Sequence, residues 1–488
     1  MTDRTLSEQV ENLVNEIGIG HSGLMLPTAY DTAWLARIPA EHDSSQSAFP
    51  EALDWLRQTQ RLDGSWGGEI EYAHDRVIST LAAMLALAER GQDGKDKRSI
   101  ERGLGYIWKK ADQLKHEHET VGFEVIVPTL INQCQKLGFA LPQPAFERYK
   151  TMRDHKLAMI PPDMQYSRNT MLAFSLEFMG AEFNIEKADS LQENNGSVAV
   201  SPSATAYFLT RWPDNMAARH YIAVVARAYS GKAPQMFPFD IFETAWSLWN
   251  LFLAGIKDQD AQISQYLETF KALWDKGKGI SISSNYSVPD VDVSAIVFLV
   301  LGSAGLDPDP GPLYLFERED IFVCHPFERN PSTSANIHVL QALKGVDKHA
   351  TDKVLRWLRS VRVGNRYWMD KWHASPYYPT AHAVIALMDV DLDLAKSAVQ
   401  WILDTQRPDG GWGYYDRSTA EETAYCLQAL SVYNRHVAPV DRQVLARGRK
   451  GLLARKGELP ALWIAKCLYA PVRMVESAIY SALAMTES

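Results

Sequence analysis

Apolar side chains return every three or four positions along most of the chain. Val77, Leu81, Met84, Leu85 and Ala88 mark one helical face, and Ala381, Val384, Ile385 and Met388 mark another. Alternation with a period of two, the signature of half-buried strands, is rare. Short turns rich in Gly and Pro divide the helical stretches, so the pattern predicts an all-helical protein built as a bundle, a barrel or a solenoid.

An internal repeat narrows this. Residues Gln60-Arg61-Leu62-Asp63-Gly64-Ser65-Trp66-Gly67 and Gln406-Arg407-Pro408-Asp409-Gly410-Gly411-Trp412-Gly413 share the order Gln-Arg-x-Asp-Gly-x-Trp-Gly. Each follows an amphipathic helix, Leu53 to Gln60 in one case and Val399 to Gln406 in the other. Two related units are expected, with the glutamine amide bonding loose backbone ends at the turn and the tryptophan packing over them. That role is structural.

The bulk numbers set limits. A chain of 488 residues with 46% hydrophobic content can bury two full cores. Its 50 basic and 59 acidic residues are dispersed, giving a net charge of -9 and no broad basic face for nucleic acid. The four cysteines, Cys134, Cys324, Cys426 and Cys467, stand in no metal-ligand spacing and suit a reduced compartment. The N-terminal stretch is polar and amphipathic, and no run of about 18 apolar residues follows. A cytoplasmic protein without integral membrane association is expected.

The repeated Gln-x-x-x-Gly-x-Trp resembles the QW motif of the squalene-hopene and terpene cyclases. Tyr30-Asp31-Thr32-Ala33-Trp34, His74-Asp75-Arg76, Gly122-Phe123-Glu124-Val125, Ser201 to Ala206, Asp370-Lys371-Trp372 and Glu422-Thr423-Ala424-Tyr425 resemble, in order, stretches of class II diterpene cyclases. The resemblance implies two α/α-barrel domains in the βγ arrangement: residues 1–25 as a helix packing with the second barrel, 26–260 as a γ-like barrel, and 261–488 as a β-like barrel carrying the acid. No Asp-Asp-x-x-Asp cluster of the metal-ionising class I enzymes is present, and no class I α domain is expected. The implied reaction is protonation-initiated cyclisation of geranylgeranyl diphosphate to a bicyclic product that keeps its diphosphate. Alternatives are a drimenyl-type cyclase acting on farnesyl diphosphate, or a prenyl-binding relative that has lost its acid. A squalene-type cyclase would call for a membrane-inserting helix, and a protein prenyltransferase would call for a zinc site. A homodimer is compatible with the resemblance.

Val288-Pro289-Asp290-Val291-Asp292-Val293-Ser294-Ala295 stands where the family carries Val-Pro-Asp-x-Asp-Asp-Thr-Ala. The resemblance makes Asp292 the proton donor and Asp290 its helper. Val293 replaces the third aspartate, and the plainer reading is that both acids only start a helix after Pro289. By resemblance to the family's Asn-bearing helix, Asn336 hydrogen-bonds the acid. His338, two positions on, would then point away and pack in the core.

Resemblance further places Lys156 near the diphosphate, against the alternative of a solvated helix lysine. Glu117 and Glu119 stand where the family has an acidic Mg2+-binding stretch, against the alternative of a solvated loop. Trp372, Tyr377 and Tyr378 are the expected π wall for the travelling cation, although with 14 tryptophans and 20 tyrosines most aromatics must be core. Asp370 and Lys371 could be no more than a surface pair. Phe174 and Gln235 stand where plant ent-copalyl diphosphate synthases place the His and Asn that bind the terminating water. Neither reproduces that pair, so a rearranged halimadienyl- or clerodane-type product is one expectation, and simple packing of Phe174, with a different base serving a plain copalyl or drimenyl product, is the other.

Overall fold

The computed structural model describes residues 3–91, 94–115, 118–257 and 261–487. Glu117, one of the two expected metal ligands, lies outside the described residues.

The helical period predicted from the sequence becomes two closed rings of inner helices. In the first, Ala29–Ala36, Ala73–Arg90, Phe123–Lys136, the 3-10 segment Met171–Glu182 and Pro202–Arg211 pack in sequence, and the last returns to the first. In the second, Asp240–Leu253, Val291–Ser303, Thr333–Leu343, Tyr377–Leu387, Ala420–His436 and Val472–Met485 close in the same way. Outer helices such as Gly94–Lys110 and Lys348–Ser360 face solvent on one side. The inner helix Ala73–Arg90 is buried from Ala73 through Leu87, as a helix surrounded on all sides must be. The boundary expected at residue 260 needs correction. Asp240–Leu253 packs against Val291–Ser303 and Val472–Met485, so it closes the second ring and not the first. Asp3–Glu16 packs on Ala261–Trp274 and Val472–Met485, and the Tyr266 hydroxyl donates to the carbonyls of Val14 and Ile17.

The two repeated turns make matching bonds. Gln60 Nε2 donates to the carbonyls of Gly64 and Ser99, and Gln406 Nε2 to those of Gly410 and Val444. Trp66 Nε1 donates to Leu56 and Trp412 Nε1 to Ile402, each at 2.7 Å. Gly64 and Gly410 hold φ of +92° and +87°, a region in which other side chains are strained. These turns therefore lock outer-ring connections and carry no chemistry.

Two short strands, Trp463–Ile464 and Leu468–Tyr469, pair antiparallel with Trp463 opposite Tyr469. The tip of this hairpin enters the first ring. Lys466 is fully buried, and its Nζ donates to Glu177 Oε1, the Phe174 carbonyl, Ser201 Oγ and Ser203 Oγ, at 2.5 to 2.9 Å. Asp75 Oδ1 accepts the Leu468 N–H at 3.0 Å. The hairpin thereby pins one ring to the other and supplies part of the wall between them. Among the described residues no helix is long and apolar enough to cross a membrane.

Candidate functional site

Between the rings lies a narrow apolar chamber lined by Phe174, Met236, Phe239, Phe242, Tyr286, Val293, Trp463 and Tyr469, with Asp290 and Asp292 in its wall. Val121, Met171, His325 and Trp372 line both this chamber and a polar mouth, so the two adjoin. The mouth holds Lys156, Arg329 and Lys371 beside Glu119, Glu124 and Glu328. An elongated ligand with an anionic end and a hydrocarbon tail fits that division, because a buried charge needs pairing while the tail needs dry surface.

The acid segment is set by one helix start. Asp290 is the N-cap of Val291–Ser303 and accepts the N–H groups of Asp292 at 2.5 Å and Val293 at 3.3 Å. The plainer capping reading is therefore correct for Asp290, but it is not the whole of that residue's role. Its Oδ2 also meets His325 Nε2 at 3.0 Å. Asp292, in the first turn, is buried and turned to the chamber. Burial pushes its carboxyl above the ordinary range, against the lowering effect of a histidine. That histidine is His338, whose Nδ1 stands 2.5 Å from Asp292 Oδ1. No described donor reaches the other oxygen of Asp292. A protonated carboxyl held in this way in an apolar wall is the form that can protonate an alkene. Val293, where the third acid was absent from the sequence, lines the chamber as plain hydrocarbon.

Two expectations reverse here. Asn336 does not bond the acid: its Oδ1 accepts the Phe322 N–H, and its Nδ2 donates to the carbonyls of Phe322 and Ser332. It fixes the loop that carries His325. His338 is fully buried but is no inert core histidine, since it is the partner of Asp292. The helical reasoning that put Asn336 and His338 on opposite faces holds. It was anchored on the wrong residue.

Of the expected aromatic wall, Trp372 lines the cavity, and Lys371 Nζ lies 4.5 Å from its ring centroid. Tyr378 sits behind the wall, its hydroxyl accepting from Trp246 Nε1 at 3.0 Å and its ring against His338 and Trp463. Tyr377 faces the other way, packing on Trp401 of the outer helix Leu392–Asp404 at 4.7 Å, and does not serve the chamber. The stacked series Phe239, Phe242 and Trp246 was missed, and Trp463 stands edge-on to Phe242.

Phe174 does line the chamber, but Lys466 Nζ lies 4.6 Å from its ring centroid, so one π face already meets a cation. Gln235 lies outside the chamber lining. It is fully buried and is spent on the hairpin, its Oε1 accepting the Lys466 N–H and its Nε2 meeting Cys467 Sγ at 2.5 Å.

At the mouth, Lys156 Nζ donates to the Phe327 carbonyl at 2.7 Å, and burial lowers its pKa. Glu119 pairs with Arg329, and Lys371 pairs with Glu328. Burial raises the pKa of Glu124 in the same pocket. Asp370, beside Lys371, is no surface residue. It is buried and caps the helix Thr333–Leu343 by accepting from the N–H groups of Thr333 and Ser334 and from the hydroxyls of Ser332 and Ser334.

Two α/α rings around an apolar chamber with a buried carboxyl in its wall are the arrangement a cyclase that starts its reaction by protonation needs. Residues 330–438 match the squalene-hopene cyclase C-terminal domain. The chain is 39% identical over 484 residues to the type B diterpene cyclase of Mycobacterium tuberculosis, covering 94% of this chain and 95% of the relative. It is 29% identical to the ent-copalyl diphosphate synthase of a Streptomyces strain, over 99% of this chain and 96% of that one. Among solved structures, the ent-copalyl diphosphate synthase of Streptomyces platensis superposes with a TM-score of 0.82 at 28% identity, covering 99% of both chains. The chain belongs to the class II diterpene cyclases.

Proposed function

We propose that the enzyme cyclises geranylgeranyl diphosphate to a bicyclic diterpenyl diphosphate, with Asp292 as the acid. The observation that carries this reading is the apolar chamber with a buried carboxyl in its wall, adjoining a mouth that holds Lys156, Arg329 and Lys371. The proton of Asp292 adds to the terminal alkene, ring closure moves the cation inward, and loss of a proton yields a neutral isomer. The diphosphate C–O bond stays intact because the reaction begins with proton addition to the distal alkene and not with loss of the diphosphate. Phe242, Trp463 and Trp372 present rings to the cationic path. The relatives named for ent-copalyl diphosphate favour a product of that class.

Lys156, Arg329 and Lys371 receive the diphosphate. Three carboxylates already balance these three cations, so an incoming diphosphate brings charge that the mouth does not cancel alone. Mg2+ answers this need: it takes one or two carboxylates and completes its shell with phosphate oxygens and water. Among the described residues no group of three or more acidic, His or Cys side chains could hold a metal ion. Glu119, with Glu124 beside it, would hold the ion, which supplies charge neutralisation at the diphosphate. Incubating the purified enzyme with Mg2+ and either geranylgeranyl or farnesyl diphosphate, followed by phosphatase treatment and mass spectrometry of the alcohols, tests the proposal. A bicyclic C20 alcohol is expected. Recovery of only linear alcohols from both substrates overturns the reading.

A further inference from the structure

Behind the acid the hydrogen bonding continues. His338 Nε2 lies 2.7 Å from His382 Nδ1, so Asp292, His338 and His382 form a row leading away from the chamber into the second ring. His382 is stacked on Trp249 with centroids 4.6 Å apart, and its Nε2 is buried without a hydrogen-bond partner among the described residues. The ionisable groups facing it are His338, His373, Tyr378 and Tyr425, and burial keeps its pKa well below the usual histidine value. A neutral imidazole carries one N–H. If that proton sat on Nε2, a donor would be buried with nothing to accept it; on Nδ1 it reaches His338, and the bare atom is only a lone pair. Orphaned buried N–H groups are the rarer and costlier outcome.

We infer that His382 is a positioning residue for the acid: by donating from Nδ1 to His338 Nε2 it fixes His338 in the tautomer that donates to Asp292 Oδ1, which confines the acidic proton to the oxygen facing the chamber. In the opposite tautomer His338 Nδ1 is an acceptor. The carboxyl of Asp292 would then turn its proton onto the histidine and away from the alkene. This inference rests on Asp292 being the acid.

Asparagine and glutamine at position 382 carry the same amide and differ in reach. Asparagine places its N–H2 where Nδ1 stands, and glutamine places it where Nε2 stands. His382→Phe and His382→Gln are expected to lower kcat about tenfold or more, within the range that placement of a general acid's proton commands, with KM within about twofold of wild type. His382→Asn should recover most of the rate. Thermal melting of all three checks that each variant is folded. An Asn variant as slow as the Phe and Gln variants, or a Phe variant as fast as wild type, overturns the inference. Asp292→Asn in the same assay separates the two ideas, because turnover by that variant removes the acid assignment itself whatever position 382 does.

Discussion

Asp290 shares both of its oxygens out: Oδ1 caps the helix by accepting the Asp292 N–H at 2.5 Å, and Oδ2 meets His325 Nε2 at 3.0 Å. His325 Nδ1 must donate, because its other partner is the Pro289 carbonyl at 3.2 Å. One proton therefore lies between Asp290 and Nε2. Asp290→Asn keeps an effective N-cap and gives Nε2 an amide donor, so the loss of stability should stay within about 1 kcal/mol. Turnover should fall but remain measurable, because the neighbouring acid survives. Urea denaturation and steady-state rates on the same preparation check both halves.

Asp292→Asn should abolish cyclisation and leave substrate binding intact, since the amide is nearly isosteric and not acidic. The raised pKa of the wild-type carboxyl also fixes a sign. The folded form holds this proton more tightly than the unfolded chain, so its stabilising effect is full below the ordinary carboxylate range and is lost as pH rises through the folded value. The wild-type rate should fall over that same rise. The melting temperature of Asp292→Asn, relative to wild type, should improve between acidic and alkaline pH. A rate that climbs through this range would contradict the role of Asp292.

At the mouth, Lys371→Met should raise KM for the diphosphate substrate about tenfold, a loss of roughly 1.4 kcal/mol of charge pairing, and leave kcat much less changed. Glu119→Ala, alone or with Glu117→Ala, should raise the Mg2+ concentration required for half-maximal rate. An unaltered Mg2+ dependence in the double variant would assign both residues to structural or solvated roles.

Lys466 and Glu177 are both fully buried, and 289 positions separate them in the chain. Lys466→Met removes one charge and strands the other, which should cost about 3 to 5 kcal/mol. Adding Glu177→Gln should return part of that stability. The hairpin that Lys466 anchors also presents Trp463, Ile464, Ala465 and Tyr469 to the chamber, so the product mixture should broaden in the single variant. Guanidinium melts and gas chromatography of dephosphorylated products measure the two effects.

The helical period and the repeated turns made the architecture readable, because both are local: a face every 3.6 residues, and a glutamine four residues ahead of the glycine whose carbonyl it binds. The places of Asp292 in the chamber wall and Lys156 at the mouth were readable because short motifs carried them. His325, His382, Arg329 and Lys466 were not, because each owes its place to partners far along the chain. Asn336 shows the limit of a motif. Its segment was recognised, but a turn of about 200° between positions 336 and 338 decided which side chain reached Asp292. Asp240–Leu253 was assigned to the wrong ring for a related reason: ring closure depends on the final helix, Val472–Met485, and no local signal announces it.

Phe174 offers the sharpest test of product control. Its ring borders the chamber, and the Lys466 ammonium lies on the ring and bonds the Phe174 carbonyl at 2.8 Å. A phenyl group at that point cannot accept a proton. A histidine there would have a fixed cation beside it, which disfavours the imidazolium and lowers its pKa. The ring would rest neutral, with a lone pair available as a base. Phe174→His should therefore shift the product mixture toward alkenes formed by early deprotonation of the bicyclic cation, at the expense of any product formed after hydride or methyl shifts. Phe174→Leu removes the ring without adding a base and should not produce the same shift. If both variants give one product profile, chamber shape governs termination at this position. If the histidine variant alone moves toward early deprotonation, the identity of the side chain at 174 decides when the cation is quenched.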